Sequence, residues 1–179
     1  MKLLLFSDVH GMATALELLL KRADELRPDR LILLGDVLRG GPIFGDSDAF
    51  NSGKVAAALN LRKDSILAVR GNCDTEADQR RLAFPILAPQ IETEYDGRRF
   101  FFTHGDFWNE YRLPELPAGS ILAHGHTHVP AHRTVADGIT ICNPGSIALP
   151  RSGFPPTFGF YEDGTLSVRT LADGQVLAL

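Results

Sequence analysis

Short apolar runs that stop on glycine, aspartate, asparagine or histidine constrain this chain more than any other feature. Leu3-Leu4-Leu5-Phe6 runs into Asp8-Val9-His10, and Leu31-Ile32-Leu33-Leu34 into Gly35-Asp36-Val37. Ile66-Leu67-Ala68-Val69 is followed by Gly71-Asn72-Cys73-Asp74. Phe100-Phe101-Phe102-Thr103 leads to His104-Gly105-Asp106, and Ile121-Leu122-Ala123 to Gly125-His126-Thr127-His128. A short apolar run bounded by turn formers reads as a strand buried on both faces. Each polar motif therefore stands where a strand ends. In open α/β sheets ligands bind outside the carboxyl ends of the strands, so five such motifs are expected to converge on one crevice. Together they offer two carboxylates, an amide oxygen and four imidazoles. That set can hold two divalent metals close together.

The segments between the runs fix the fold class. Leu16, Leu19, Leu20, Ala23 and Leu26 keep a helical period over 12–25, and Pro28 stops that helix. With strands over 2–7 and 30–34 this makes a βαβ unit, hence parallel strands and a right-handed crossover. A helix over 54–61 leads to a strand over 65–69, and Thr75-Glu76-Ala77-Asp78 resembles a capping box opening a short helix. Residues 38–53 form a long loop, and such loops in compact domains are usually functional or disordered. Phe44 and Phe50 give it something to pack with. The Asp-Gly pairs at 96–97, 137–138, 163–164 and 173–174 lie between β-rich runs and read as hairpin turns. The front half is thus expected to be α/β and the back half mostly antiparallel. The expected fold is a single α/β domain over 1–179, with two stacked mixed β-sheets flanked by helices.

Charge and cysteine usage narrow the partners. A net charge of −4 gives no electrostatic reason to expect a long nucleic acid. It is compatible with a small phosphorylated substrate, because bound metals invert the local field. Cys73 and Cys142 form no CxxC pair, which fits a reducing compartment. The apolar start ends at Ser7-Asp8, too early for a secretory leader. No stretch approaches the roughly 20 apolar residues that span a membrane. A cytoplasmic protein without a membrane partner is expected.

Taken in order, Asp-x-His, Gly-Asp, Gly-Asn-x-Asp, His and Gly-His-x-His resemble the calcineurin-like metallophosphoesterase superfamily. The resemblance covers residues 3–146. Val69-Arg70-Gly71-Asn72-Cys73-Asp74, Gly125-His126-Thr127-His128 and Asn143-Pro144-Gly145-Ser146 resemble, within it, the small bacterial YfcE-type phosphodiesterase group. The fold implied is that family's four-layer sandwich. The resemblance implies one metal held by Asp8, His10, Asp36 and His128. It implies a second held by Asp36, Asn72, His104 and His126, with Asp36 bridging. Such nitrogen and oxygen ligands suit manganese first, with iron, zinc or nickel as alternatives. The implied activity is hydrolysis of small phosphodiesters by a metal-bridging hydroxide, with Asn72, Cys73 and His104 as the catalytic residues. Many relatives carry His where this chain has Cys73. A thiol is a poorer hydrogen-bond donor, so the expected substrates have leaving groups that need little protonation.

Other residues have weaker readings. Asp74 is either a site support or an ordinary helix N-terminal acid. Arg39 could reach a substrate phosphate but is more simply a solvated arginine. His124 and Cys142 read as structural and His132 as a surface residue. Phe107-Trp108 reads either as a pocket wall or as part of an aromatic cluster. Rival functions are a phosphomonoesterase or protein phosphatase, and a non-catalytic scaffold such as the retromer subunit of this fold. The family resemblance suggests a homo-oligomer, a dimer or tetramer, to which the 38–53 loop or Phe154-Pro155-Pro156 could contribute.

Overall fold

Alternating side chains along the first strands determine how the layers stack. The computed structural model describes residues 1–39, 49–135 and 137–179. Strand β1 (Leu3–Phe6) leads to helix α1 (Ala13–Leu26), β2 (Arg30–Leu33), α2 (Ser52–Asn60) and β3 (Ile66–Ala68). Strands β1, β2 and β3 are parallel neighbours. In β1, Leu4 and Phe6 pack with Leu16 and Leu19 of α1 and Val55 and Leu59 of α2. Leu3 and Leu5 point the other way, into a core shared with Phe100, Phe102, Ile121 and Cys142. All four β1 side chains are fully buried. Both faces of a covered parallel sheet are apolar, which is why these strands read as unbroken apolar runs.

The rest of the chain supplies α3 (Glu76–Gln79), β4 (Gln90–Tyr95), β5 (Arg98–Thr103), β6 (Ile121–Ala123), β7 (Ala131–Thr134) and β8 (Thr140–Asn143). The last strands are β9 (Thr157–Glu162) and β10 (Thr165–Thr170). The first sheet has the order β10-β9-β1-β2-β3 and the second β4-β5-β6-β8-β7. Both are mixed, as expected. The expected helix over 12–25 lies one residue later, and its C-cap Arg27 is left-handed, φ 51°. The Thr75 capping box is present, with Asp78 returning the bond to the cap N–H. Asp96-Gly97 joins β4 to β5 and Asp163-Gly164 joins β9 to β10, all four residues with positive φ. That is the backbone a two-residue hairpin of matching twist requires. Gly138 turns β7 into antiparallel β8.

Three details differ from the sequence reading. Strand β6 is parallel to both its neighbours, β5 and β8. Residues 104–120 are long enough to carry the chain back for a parallel pairing, and Asp-Gly turns report only on local hairpins. Asp173-Gly174 turns the chain back, but only an isolated bridge between Arg169 and Val176 follows. Helices cover the outer face of the first sheet, whereas the second is covered by irregular chain. There Trp108, Leu113 and Leu116 pack on Phe101, Leu122 and Ile141. Of the expected 38–53 loop, residues 40–48 lie outside the described residues. Among the described residues no helix is long and apolar enough to cross a membrane.

Candidate metal centre

Parallel alignment brings the strand ends to one edge. The Asp8 N–H donates to the Gly35 carbonyl at 3.1 Å and the His10 N–H to the Asp36 carbonyl at 2.9 Å, lacing the turns after β1 and β2 together. Within the second sheet the Gly125 N–H donates to the His104 carbonyl at 2.7 Å, lacing the turns after β5 and β6 in the same way. Across the sheets, His104 Nδ1 sits 2.7 Å from the Leu34 carbonyl. Asp8, His10, Asp36, Asn72, His104, His126 and His128 all meet in this crevice.

Their side chains form two clusters. In one, His128 Nε2 is 3.2 Å and His10 Nε2 3.6 Å from Asp8 Oδ1, and the two imidazole nitrogens are 3.3 Å apart. In the other, Asn72 Oδ1 is 2.9 Å from His104 Nε2 and 2.8 Å from His126 Nδ1. Asp36 lies between them: its Oδ2 is 3.7 Å from His10 Nε2 and 3.6 Å from His104 Nε2. Its Oδ1 accepts the Cys73 N–H at 2.8 Å.

The ring tautomers make these clusters a demand for positive charge. His10, His104 and His128 each place Nδ1 within 2.7 Å of a backbone carbonyl, of Arg39, Leu34 and Leu149 respectively. An Nδ1–H donated to a carbonyl leaves a lone pair on Nε2. The His10 and His128 lone pairs then face each other, and that of His104 faces an amide oxygen. Asp8 Oδ1, buried among them, has no hydrogen-bond partner. Facing acceptors in a buried site are repulsive until a cation or proton is shared between them. The charges already respond to this. Burial opposes the Asp8 charge, but with a proton on the facing nitrogens of His10 and His128 their hydrogen bonds outweigh it and hold the carboxyl well below the usual carboxylate range. Burial also opposes the charge on His10, yet the Asp8 carboxylate raises its affinity for a proton. His126 goes the other way, lowered by burial and by neighbouring His104. The donor set thus fits divalent metals of the nitrogen–oxygen kind, and the carbonyls behind the imidazoles are the orienting partners such ligands normally have.

Backbone conformation carries the same signature. Nine non-glycine residues have positive φ among the described residues, and five are Asp8, His10, Asp36, His126 and His128. Each costs about 1 kcal/mol or more and persists where the surroundings over-determine it. The same backbone separates His126 from His128. They sit in a left-handed loop, and one faces each cluster.

Supporting residues sit just behind. The Asp74 carboxylate accepts three backbone N–H groups, from Asp36 and Gly71 on Oδ2 (both 2.8 Å) and Val37 on Oδ1 (2.9 Å). Asp74 is therefore a site support. Replacing it with Asn would turn an N–H against an N–H; we expect Asp74→Asn to cost about 1–3 kcal/mol in thermal unfolding. Metal affinity in the same variant should fall roughly tenfold or more. Asn143 and Ser146 belong to a segment that composition reads as a turn and that the family resemblance places near the metals without a ligand role. Asn143 donates to the Gly125 carbonyl and Thr127 hydroxyl, and Ser146 donates to the Asp8 carbonyl at 2.8 Å. The carbonyls of Leu34, Arg39 and Leu149 left no signal, since every residue has one.

The remaining candidates separate clearly. The Arg39 guanidinium pairs with Asp78, 3.1 Å from Nε to Oδ2, so it is already engaged. Cys73 is part-buried beside Asp36; burial first, then the carboxylate, pushes its thiol up to about 11. It is a protonated thiol at neutral pH. His124 is fully buried behind Gly125, His132 is exposed on β7, and Cys142 is in the core between the sheets. Phe107 and Trp108 pair edge to face at 4.8 Å and line a cleft beside Asn72.

Known proteins are similar to this chain at several levels. Phosphodiesterase YfcE of Escherichia coli (strain K12) is 38% identical over 178 residues, covering 99% of this chain and 96% of the relative. A solved structure of YfcE, a phosphoesterase from E. coli, superposes with a TM-score of 0.94, covering 99% of this chain and 97% of the other. A probable metallophosphoesterase, YsnB of Bacillus subtilis (strain 168), is 28% identical over 84% of this chain and 78% of its own length. The family model of the calcineurin-like phosphoesterase superfamily domain matches residues 1–164, so the whole crevice lies inside it. On that match, and on near full-length likeness to a relative at 38% identity, the chain belongs to the calcineurin-like phosphoesterase superfamily.

Proposed function

We propose that the protein is a metal-dependent phosphodiesterase of small substrates, working with two divalent ions, manganese first among them. One observation carries the reading: a single carboxylate oxygen, Asp36 Oδ2, stands between two nitrogen–oxygen clusters at nearly equal distance from each. In it, Asp8, His10, Asp36 and His128 would hold one ion, and Asp36, Asn72, His104 and His126 the other. Two such ions, when bound, supply an activated water at neutral pH and a clamp for the phosphoryl oxygens. The chain's own part is positioning. Asp74 fixes the Asp36 backbone, the three carbonyls hold the imidazoles in one tautomer, and Asn72 presents its oxygen while its amide donates to Cys73 Sγ at 3.3 Å.

The diester preference has two supports. The relative at 38% identity is itself named a phosphodiesterase. The crevice also offers a protonated Cys73 thiol rather than an imidazole beside Asn72, which favours leaving groups that depart with little protonation. Cys73→Ala should keep both metals, because the Cys73 backbone N–H that holds Asp36 remains in the variant. The expected rate change is below tenfold, whereas loss of a general acid costs roughly 100-fold or more. Metal content and an initial rate on the same preparation check this.

The test of the function compares bis-p-nitrophenyl phosphate with p-nitrophenyl phosphate, on protein stripped with chelator and then given manganese. Metal-restored cleavage favouring the diester supports the proposal. Preference for the monoester makes the protein a phosphatase, and metal-loaded protein inert to both makes it a scaffold on this fold.

A further inference from the structure

Beside Asn72 a cleft of about 490 Å³ opens between the start of β4 and the chain after β5. Its walls carry Arg70, Asn72, Gln90, Phe107 and Trp108, and the Asp106 carboxylate also lines it, an acceptor for ring amino groups. That volume suits a small organic group. The cleft shares Asn72 with the metal centre, so what fills it is attached to, or abuts, the reacting phosphoryl group.

The wall chemistry is specific. Phe107 is 49% exposed, costly for an aromatic ring in water. It is held in place by the edge-to-face contact with Trp108 and by the Arg112 guanidinium, 3.8 Å from its ring centroid. Gln90 accepts the Trp108 indole N–H at 3.1 Å, which leaves its amide N–H groups without a partner among the described residues. Arg70 spends only Nε, 3.4 Å from the Asp74 carbonyl, and has no carboxylate partner among the described residues. An aromatic wall, an amide donor at its edge, the Asp106 carboxylate as acceptor and the Arg70 guanidinium beside Asn72 match a flat heteroaromatic ring on a phosphate ester.

We infer that this cleft is the ester-group subsite and that it selects a stacking heteroaromatic ring, such as a nucleobase, over an alkyl group. The inference rests on the phosphodiesterase reading. Phe107 is the platform, Gln90 reads the ring edge, and Arg70 attracts the ester's charge.

Trp108 is the chain's single tryptophan, so the cleft carries its own reporter. Manganese-loaded protein is titrated with adenosine 5′-monophosphate while Trp108 fluorescence is followed, and glycerol 3-phosphate is measured by competition. Saturable quenching is expected, with the nucleotide binding about tenfold or more tighter, the worth of one stacked base. Phe107→Ala should weaken the nucleotide by about tenfold and leave glycerol 3-phosphate affinity and metal content unchanged. Equal affinities for the two ligands, or an equal loss for both in the variant, overturns the subsite. So does a change in sedimentation mass on Phe107→Ala without a change in nucleotide affinity, which makes the face a contact between copies of the chain. The two readings fail separately. Nucleotide discrimination by a protein inert to diesters sinks the phosphodiesterase and keeps the subsite; diester cleavage without discrimination does the reverse.

Discussion

Asp36→Ala is expected to empty both metal positions at once and lower diester hydrolysis by about 1,000-fold or more, the several kcal/mol that metal assistance supplies. The geometry makes this residue singular. Its Oδ2 faces His10 on one side and His104 on the other, and its Oδ1 takes the Cys73 N–H. Removing His128 or Asn72 should deplete one position and spare the other. The Asp36 backbone N–H stays bonded to Asp74 in the variant, so the turn should persist. Elemental analysis and an initial rate on the same preparation distinguish this from misfolding, which circular dichroism reports. An Asp36→Ala protein with full metal and full rate would remove the basis of the assignment.

Gly71→Ala should be among the most damaging single methyl additions at the described residues. A Cβ at Gly71 would collide with Oδ1, Cγ and the backbone N of Asp36. Neither neighbour can yield cheaply: the Asp36 N–H is tied to Asp74 and its carboxylate to the Cys73 N–H. Overpacking of this kind costs about 3 kcal/mol, which for a chain of this length lowers Tm by roughly 6–12 °C. Metal binding should suffer beyond stability, because the clash pushes on the shared carboxylate itself. Calorimetry of the metal-free and manganese-loaded variant separates the two effects. The metal-free variant should melt lower than wild type, and added manganese should recover less than it does for wild type. Unchanged Tm and unchanged metal response would mean that β2 and β3 can part at this point without cost.

Much of this site was legible because the strands feeding it are buried on both faces. Leu3-Leu4-Leu5-Phe6 and Leu31-Ile32-Leu33-Leu34 have no polar alternation, so the first polar residue marks the strand's end, and that is where Asp8 and Asp36 stand. Helix α1 was legible from its apolar period, and the Asp-Gly hairpins from the left-handed backbone that such pairs tolerate. What escaped was set by distant contacts. The parallel pairing of β6 depends on partners beyond local turn chemistry. The outer cover of the second sheet carries Pro114, Pro117 and Gly119, shows no helical period and is irregular. At the site, side-chain ligands announce themselves by type, whereas the carbonyls that orient His10, His104 and His128 do not. Arg39 illustrates the limit of sequence proximity: three residues from Asp36, its guanidinium turns to Asp78.

Two ions sharing Asp36 is the central claim, and manganese titration of chelator-stripped protein followed by electron paramagnetic resonance tests it most directly. The expected result is saturation at two manganese ions per chain, with the isolated-ion signal replaced by that of an exchange-coupled pair. Saturation at one ion, or two ions that show no coupling, would contradict a shared carboxylate and with it the two-metal centre.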